Sequence, residues 1–165
     1  MMSTSRVMAL DVGDRRIGVA VSDPTRLLAR SVKVISRAGG DQGLAELCCL
    51  IREYEIAELV IGYPRHLSGD VGEQARRVEA YVETLRAYLA AQGVALPVSY
   101  WDERYSSVIA GEIVQETRRK KRQPPHVDAV AAAVILQEYL DAHAAERQGH
   151  QPSGAGEDQG LPEGR

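Results

Sequence analysis

Residues 6–22, RVMALDVGDRRIGVAVS, contain two apolar runs separated by a short charged segment. The first run ends in Asp11 and Gly13, and the second run begins at Ile17. The segment DRR between them is short enough to close a hairpin, with Gly13 as a turn residue. The stretch therefore predicts two antiparallel strands, with an acidic side chain near the end of the first strand.

The rest of the chain continues as an alternation of strands and helices. Apolar residues at period two or at helical spacing define each element. The predicted elements after the hairpin are a strand at 27–36, a helix at 41–55, a strand at 58–63, a helix at 72–92, a strand at 95–101, a helix that begins at Ser106 or Ser107, and a helix at 126–141. A meander followed by βα units predicts an α/β domain with a mixed five-stranded sheet flanked by helices.

Length and composition limit the class of protein. The 165 residues are 44% hydrophobic, which fits one domain with a sizeable core over residues 1–143. Residues 144–165 are rich in Gln, Gly, Pro and Glu, and we expect a disordered polar tail there. Neither an apolar membrane span nor a secretory signal is recognisable, which favours a cytoplasmic protein. The net charge of −3 argues against a general nucleic-acid binder, but the basic residues are clustered.

Three acidic positions are distinguished by where they occur in this element order. Asp11 ends the first strand, Asp102 and Glu103 follow the strand that ends at Trp101, and Asp128 opens the last helix. Strand ends and helix starts of an α/β sheet collect at one edge, so these acids are expected to converge. Each position also has a simpler explanation, namely a turn residue, a surface ion cluster or a favourable helix N-terminus. Their coincidence favours a shared site.

Converging carboxylates repel one another unless a cation lies between them. Oxygen-only ligands select hard divalent ions, so the expected cofactor is Mg²⁺ or Mn²⁺, with one or two ions bound. Two such ions held about 3.5–4 Å apart can activate water and stabilise the leaving oxygen of a phosphodiester. The pattern therefore predicts a metal-dependent nuclease.

Four blocks carry a family resemblance. They are DVGDRRIGVAVSD at 11–23, VIGYP at 60–64, DERYSS at 102–107 and VDAVAAAVILQEYL at 127–140. In this order and spacing they resemble the YqgF/RuvX-type family of Holliday-junction-resolvase-like proteins, the pre-16S rRNA nucleases. The resemblance covers about residues 7–140 and implies a ribonuclease-H-like fold.

The resemblance also implies roles for individual residues. Asp11, Glu103 and Asp128 would be the catalytic, metal-binding acids, and Arg16 would approach a substrate phosphate or steady the site. Gly13 and Gly18 would serve the backbone geometry. The chain departs from the family in the loop PRHLSGDVG at 64–72, where His66 and Ser68 replace the usual polar residues. The carboxylates are unaffected by this departure.

Basic side chains supply the predicted substrate-binding surface, because contacts to phosphates give affinity without reading sequence. The candidate substrate-binding residues are Arg16, Arg65, His66, Arg104, Lys120 and Lys121. Two auxiliary residues are also considered. Asp102 adjoins Glu103, and His126 lies close enough to Asp128 to be considered as a proton shuttle or substrate contact, although a lone histidine near an acid is more often a capping or surface residue.

Several functions remain open at this point. The favoured one, implied by the resemblance, is endonucleolytic maturation of the 5′ end of precursor 16S ribosomal RNA. The alternative is resolution of four-way DNA junctions. Less favoured are an actin-like sugar or acetate kinase, for which the chain is short, and a non-catalytic factor associated with the ribosome or transcription. The expected partner is nucleic acid, RNA or branched DNA, with no membrane and with the protein acting as a monomer or homodimer.

Overall fold

The computed structural model describes residues 5–64, 72–102 and 127–148. The described elements are strands β1 (Arg6–Val12), β2 (Arg16–Ser22), β3 (Ala29–Ser36), β4 (Ile56–Tyr63) and β5 (Val98–Asp102), and helices α1 (Asp41–Glu53), α2 (Glu73–Ala91) and α3 (Val127–Gln148). The helix predicted to begin at Ser106 or Ser107 falls outside these residues. In the described segments, no helix combines the length and the apolar character needed to cross a membrane.

The strands form one sheet in the order β3-β2-β1-β4-β5. β1, β2 and β3 are antiparallel neighbours, whereas β1, β4 and β5 run parallel. This confirms the predicted mixed five-stranded sheet, with its meander and its βα units. The parallel strands end at Val12, Tyr63 and Asp102, and we refer to this end of the sheet as the carboxyl edge.

Helices cover both faces of the sheet, and the alternation of each strand assigns its residues to one face or the other. On one face Met8 and Leu10 pack in a cluster with Leu47 of α1 and Val82 of α2. We call it the α1/α2 face. On the other face, which we call the α3 face, a second cluster joins residues of β1, β2 and β4 to α3. The members of this second cluster are Val7, Ala9, Ala20, Val60, Ala132, Ile135, Leu136, Tyr139 and Leu140.

Small side chains let α3 lie close to the sheet, as its alanine-rich centre predicts. Ala132 is fully buried against Ala9 and Ala20. The carboxyl-terminal half is anchored at the opposite end of the sheet from the carboxyl edge. There the Gln137 amide donates to the Leu27 carbonyl oxygen at 2.9 Å, and the Tyr139 hydroxyl bonds Glu58 near the start of β4. The helix therefore runs antiparallel to β1, and its first turn lies at the carboxyl edge.

The loop between β2 and β3 differs from the prediction, because β3 begins at Ala29 and not at Leu27. The Asp23 carboxylate accepts hydrogen bonds from the backbone N–H groups of Leu27 (2.8 Å) and Leu28 (2.9 Å) and from the Thr25 hydroxyl. These bonds hold residues 23–28 in a closed loop and leave both leucine side chains exposed. The Asp23 side chain binds backbone N–H groups that would otherwise be available to a strand. The alternation of residues 27–36 gives no sign of this competition.

The same bonds make stability depend on pH. Burial raises the pKa of Asp23, but the hydrogen bonds from Leu28, Thr25 and Leu27 outweigh burial and lower it to about 2. A depressed pKa contributes stability above the unfolded value of about 3.9, and this contribution is lost as pH falls towards 2. We expect Asp23→Ala to cost about 1 kcal/mol of unfolding free energy at pH 7. In urea titrations the difference from wild type should shrink below pH 4; a constant difference down to pH 2.5 would contradict the assignment.

The helix ends also refine the sequence analysis. The N-cap of α1 is Gly40, without a side-chain cap, and Asp41 is the first helical residue. Gly93 follows α2 with φ of 77°, as expected for a glycine that ends a helix. α3 continues to Gln148, five residues into the segment predicted as tail, because His143 still packs on Tyr139 with ring centroids 4.1 Å apart.

Candidate active site

Asp11 lies next to the carboxyl end of β1, half-buried, on the α3 face. The face follows from the alternation of β1, because Leu10 and Val12 belong to the α1/α2 cluster while Val7 and Ala9 belong to the α3 cluster. An acid at this position is held on a rigid central strand. The carboxylate is thus fixed in place at the sheet edge where α3 begins.

Glycines flank Asp11 on both neighbouring strands. Gly18 of β2 is its direct partner, and Gly62 of β4 is level with it, one residue beyond the pair Leu10–Ile61. Both glycines lie on the α3 face, since Ala20 and Val60 two residues away belong to that cluster. Cross-strand neighbours on one face are otherwise only about 5 Å apart and crowd each other. Neither of these two strand neighbours places a side chain beside Asp11.

Arg16 shares this face. It begins β2, two residues before Gly18, and its side chain is exposed. A diagonal neighbour of this kind lies roughly 7–8 Å away between Cα atoms, within reach of a long side chain. The tight turn between the strands is closed by the Gly13 N–H, which donates to the Arg16 carbonyl oxygen at 2.9 Å. A Cβ on Gly13 would lie 2.9 Å from that oxygen, which explains the glycine.

The end of β5 divides its residues between the two faces. Trp101 pairs with Gly62 and packs against the α3 cluster, with its ring 5.8 Å from that of Tyr139. Asp102 pairs with Tyr63, whose hydroxyl donates to Glu79 of α2 at 2.6 Å. Asp102 therefore lies on the α1/α2 face, opposite to Asp11. Glu103, the next residue, falls outside the described part of the chain.

Asp128 lies in the first turn of α3, one turn before Ala132. A helical turn rises about 5.4 Å, so the start of α3 lies next to the carboxyl edge, on the same face as Asp11. The backbone of α3 thus brings the positions of Asp11 and Asp128 to one corner of the sheet. The side chain of Asp128 is not among those that the structure describes.

The remaining predicted site residues lie outside the described segments. They are Arg65, His66, Arg104, Lys120, Lys121 and His126. Within residues 5–64, 72–102 and 127–148, no group of three His, Cys, Asp or Glu side chains is arranged to hold a metal ion. A site made of Asp11, Glu103 and Asp128 extends beyond that part, so its roles stay predictions.

Sequence reasoning missed two features of this region. In sequence, Gly62 is recognisable only as part of a buried strand and of the family-like block VIGYP, with no sign that it lies beside Asp11. Arg37, at the end of β3, resembles an ordinary exposed base in sequence, but its side chain reaches back and donates to the Gly13 carbonyl oxygen at 2.7 Å. Contacts between residues 24 positions apart leave no local signal in the sequence.

A match to a known protein family establishes which family this chain belongs to. A family model described as "RuvX: Holliday junction resolvase" matches residues 5–142. The chain belongs to the RuvX family. The matched RuvX region contains every element described above except the last few residues of α3. The resemblance inferred from the four sequence blocks is thereby confirmed.

Curated relatives of this RuvX chain carry one name. A protein of Roseiflexus sp. called "Putative pre-16S rRNA nuclease" is 41% identical over 138 residues, which cover 83% of this chain and 94% of the relative. A protein of Moorella thermoacetica with the same name is 44% identical over 139 residues, covering 82% and 94%. The similarity thus spans nearly the whole of these relatives.

Solved structures establish the fold of this RuvX chain. The Thermus thermophilus RuvC structure superposes with a TM-score of 0.53 at 16% sequence identity, covering 85% of this chain and 96% of RuvC. RuvC from the same organism in complex with a Holliday junction substrate gives a TM-score of 0.51. The shared architecture confirms the predicted ribonuclease-H-like fold.

Proposed function

We propose that this chain is a metal-dependent endonuclease that cleaves phosphodiester bonds in structured nucleic acid. The observation that carries the proposal is the half-buried carboxylate of Asp11 beside two glycines, at the corner of the sheet where α3 begins with Asp128 in its first turn. The nuclease names of relatives that are about 40% identical over most of the chain support the same reaction.

The donor chemistry fits a hard divalent cation. Asp11 offers carboxylate oxygens on a rigid strand, and its two cross-strand neighbours, Gly18 and Gly62, carry no side chains. Carboxylates as the only ligands favour Mg²⁺ or Mn²⁺. We propose that Asp11, Glu103 and Asp128 would hold one or two such ions. When bound, these ions neutralise the charge that develops on the scissile phosphate.

Each remaining residue then has a task at the substrate. Asp11 would help to hold the cation beside the reacting phosphate, and Arg16, on the same face, would bind an adjacent phosphate oxygen. Arg65, His66, Arg104, Lys120 and Lys121 would extend the phosphate contacts, and His126 would move a proton or contact the strand. These contacts to the backbone position the nucleic acid without reading its sequence.

The favoured substrate is the 5′ region of precursor 16S ribosomal RNA, because the curated relatives are named for that RNA. A cytoplasmic location is part of the same proposal. The second candidate is a four-way DNA junction, which the family description favours. A junction enzyme acts on two strands and requires two sites, hence a homodimer, whereas a monomer suffices for the RNA.

One experiment separates the two substrates. The purified protein is incubated with precursor 16S RNA and, in parallel, with a four-way DNA junction, each with Mg²⁺, with Mn²⁺ or with EDTA. We expect specific cleavage of the RNA with either cation and no cleavage in EDTA. Cleavage of the junction alone would transfer the proposal to the second candidate. Equal cleavage in EDTA, or no cleavage of either substrate under any condition, would contradict a metal-dependent nuclease.

A further inference from the structure

A cavity of about 690 Å³ opens on the α1/α2 face, directly behind the turn that follows Asp11. Asp14 in that turn and Ile17 just after it contribute to its wall. The other lining residues come from the end of β3 and the segment after it, from α1 and from α2. The cavity therefore lies on the opposite face of the sheet from Asp11, beside the turn at residues 13–16. Its size falls in the range of small-ligand sites.

Arg37 is the candidate phosphate-binding side chain of this cavity. It is half-buried, its guanidinium carbon lies 4.8 Å from the centre of the Tyr81 ring, and one nitrogen donates to the Gly13 carbonyl oxygen. These contacts hold the group in place without neutralising it. Within the described segments Arg37 forms no ion pair, whereas Arg26 pairs with Glu58 at 3.4 Å and Arg77 with Asp14 at 3.3 Å.

Other groups in the wall suit the remainder of a nucleotide. Ile17 and Leu44 are buried apolar members of the wall, and Tyr81 is its half-buried aromatic ring, on which a base can stack. Among the residues that the structure describes, none hydrogen-bonds the buried Tyr81 hydroxyl, and burial raises its pKa to about 12, so it remains a neutral donor. Asp41 also lines the cavity and can accept from a sugar hydroxyl or a base amino group.

We propose that this cavity binds one unpaired nucleotide of the substrate strand, with its phosphate against Arg37 and its base against Tyr81. The inference rests on the proposed function, because it takes the ligand to be nucleic acid that also reaches Asp11. The charges of Asp14 and Asp41 offset those of Arg37 and Arg77, so a bare anion gains little there, whereas a nucleotide uses both signs. The nucleotide must be unpaired, because a base within a helix cannot enter a cavity.

The test measures binding without divalent cations, so that cleavage plays no part. Arg37→Gln removes the charge but keeps an amide donor for the Gly13 carbonyl oxygen. Arg30→Gln is the matched control, because Arg30 is exposed at the other end of the same strand. Fluorescence anisotropy with a labelled single-stranded RNA octamer should show Kd raised about five- to tenfold for Arg37→Gln and the salt slope lowered by about 0.7. Arg30→Gln should change neither, and melting temperatures confirm folding.

Further probes identify the source of the nucleotide. A blunt RNA duplex should bind both variants equally, because its bases cannot enter the cavity. Equal losses for Arg37→Gln and Arg30→Gln, or an equal loss with the duplex, would overturn the proposal in favour of general electrostatics. Arg37-dependent binding of free AMP, without any effect on the octamer, would overturn the assignment to the substrate strand. Absence of cleavage of both the precursor RNA and the junction in the separate assay would contradict the proposed function, whereas the binding results would still report on the cavity.

Discussion

Replacing Asp11 with asparagine is expected to lower the rate of metal-dependent cleavage by about 10³-fold or more while leaving the fold intact. Asparagine keeps the shape of the side chain but not the charge that a cation requires. Relief of repulsion with Glu103 and Asp128, the proposed partner ligands, should leave the melting temperature in EDTA unchanged or slightly raised. Single-turnover cleavage of precursor RNA and a thermal melt in EDTA measure the two effects.

The control for this variant is Asp141→Asn. Asp141 is exposed on α3, near the anchored half of the helix and far from the carboxyl edge, and it accepts a hydrogen bond from Gln137 at 3.0 Å. Asp141→Asn makes the same chemical change away from the site, and its amide oxygen still accepts the bond from Gln137, so the anchor of α3 is kept. Its cleavage rate should remain within about twofold of wild type. If Asp11→Asn cleaves at the rate of this control, Asp11 is not a metal ligand.

The second large effect distinguishes two adjacent acids. We expect Glu103→Gln to lower cleavage on the order of 10³-fold and Asp102→Asn to lower it no more than about threefold. Trp101 lies on the α3 face and Asp102 on the other face, so in a continuing strand the following position returns to the face of Asp11. The measurement is the single-turnover rate at saturating Mg²⁺ for both variants.

The apparent affinity for Mn²⁺ is an independent test of whether Glu103 or Asp102 is the metal ligand. A lost ligand weakens the cation site, so the Mn²⁺ concentration needed for half-maximal activity should rise for any residual activity of Glu103→Gln and stay constant for Asp102→Asn. The reverse order, with Asp102→Asn inactive and Glu103→Gln active, would mean that the strand does not continue in this register. Asp102 would then be the ligand, reached from a different backbone path.

Much of the fold can be predicted from the sequence because its signals are local. The change from period two to helical spacing after residue 36 separates the meander from the βα units, and Pro97 marks the start of β5 because its nitrogen has no hydrogen to donate. The sequence places strand β5 at 95–101, whereas the structure begins it at Val98, directly after that proline. The type of each element is thus predictable where composition enforces it. Most boundaries move by one to three residues, whereas α3 extends seven residues beyond its predicted end.

The faces of the sheet are harder to predict. Val7 to Leu10 are all fully buried, so the apolar run of β1 shows no alternation from which the direction of Asp11 could be read. Only the helices, which come much later in the chain, define the two faces. The glycine neighbours of Asp11 and the contact of Arg37 with Gly13 depend on strand register and on a turn, and both are tertiary properties.

Because α3 is anchored at Gln137 and Tyr139, a small tilt of the helix there displaces its first turn by a much larger distance. Asp128 lies eleven residues before Tyr139, which corresponds to about 16 Å along the axis. A tilt of about 5° at the anchors would move the first turn by roughly 1.4 Å, and catalytic geometry does not tolerate an error of that size without large losses in rate. The position of the proposed ligand Asp128 therefore depends on the anchoring contacts of Gln137 and Tyr139 at the other end of the sheet. Substitutions at those contacts are expected to lower activity although they lie far from the substrate.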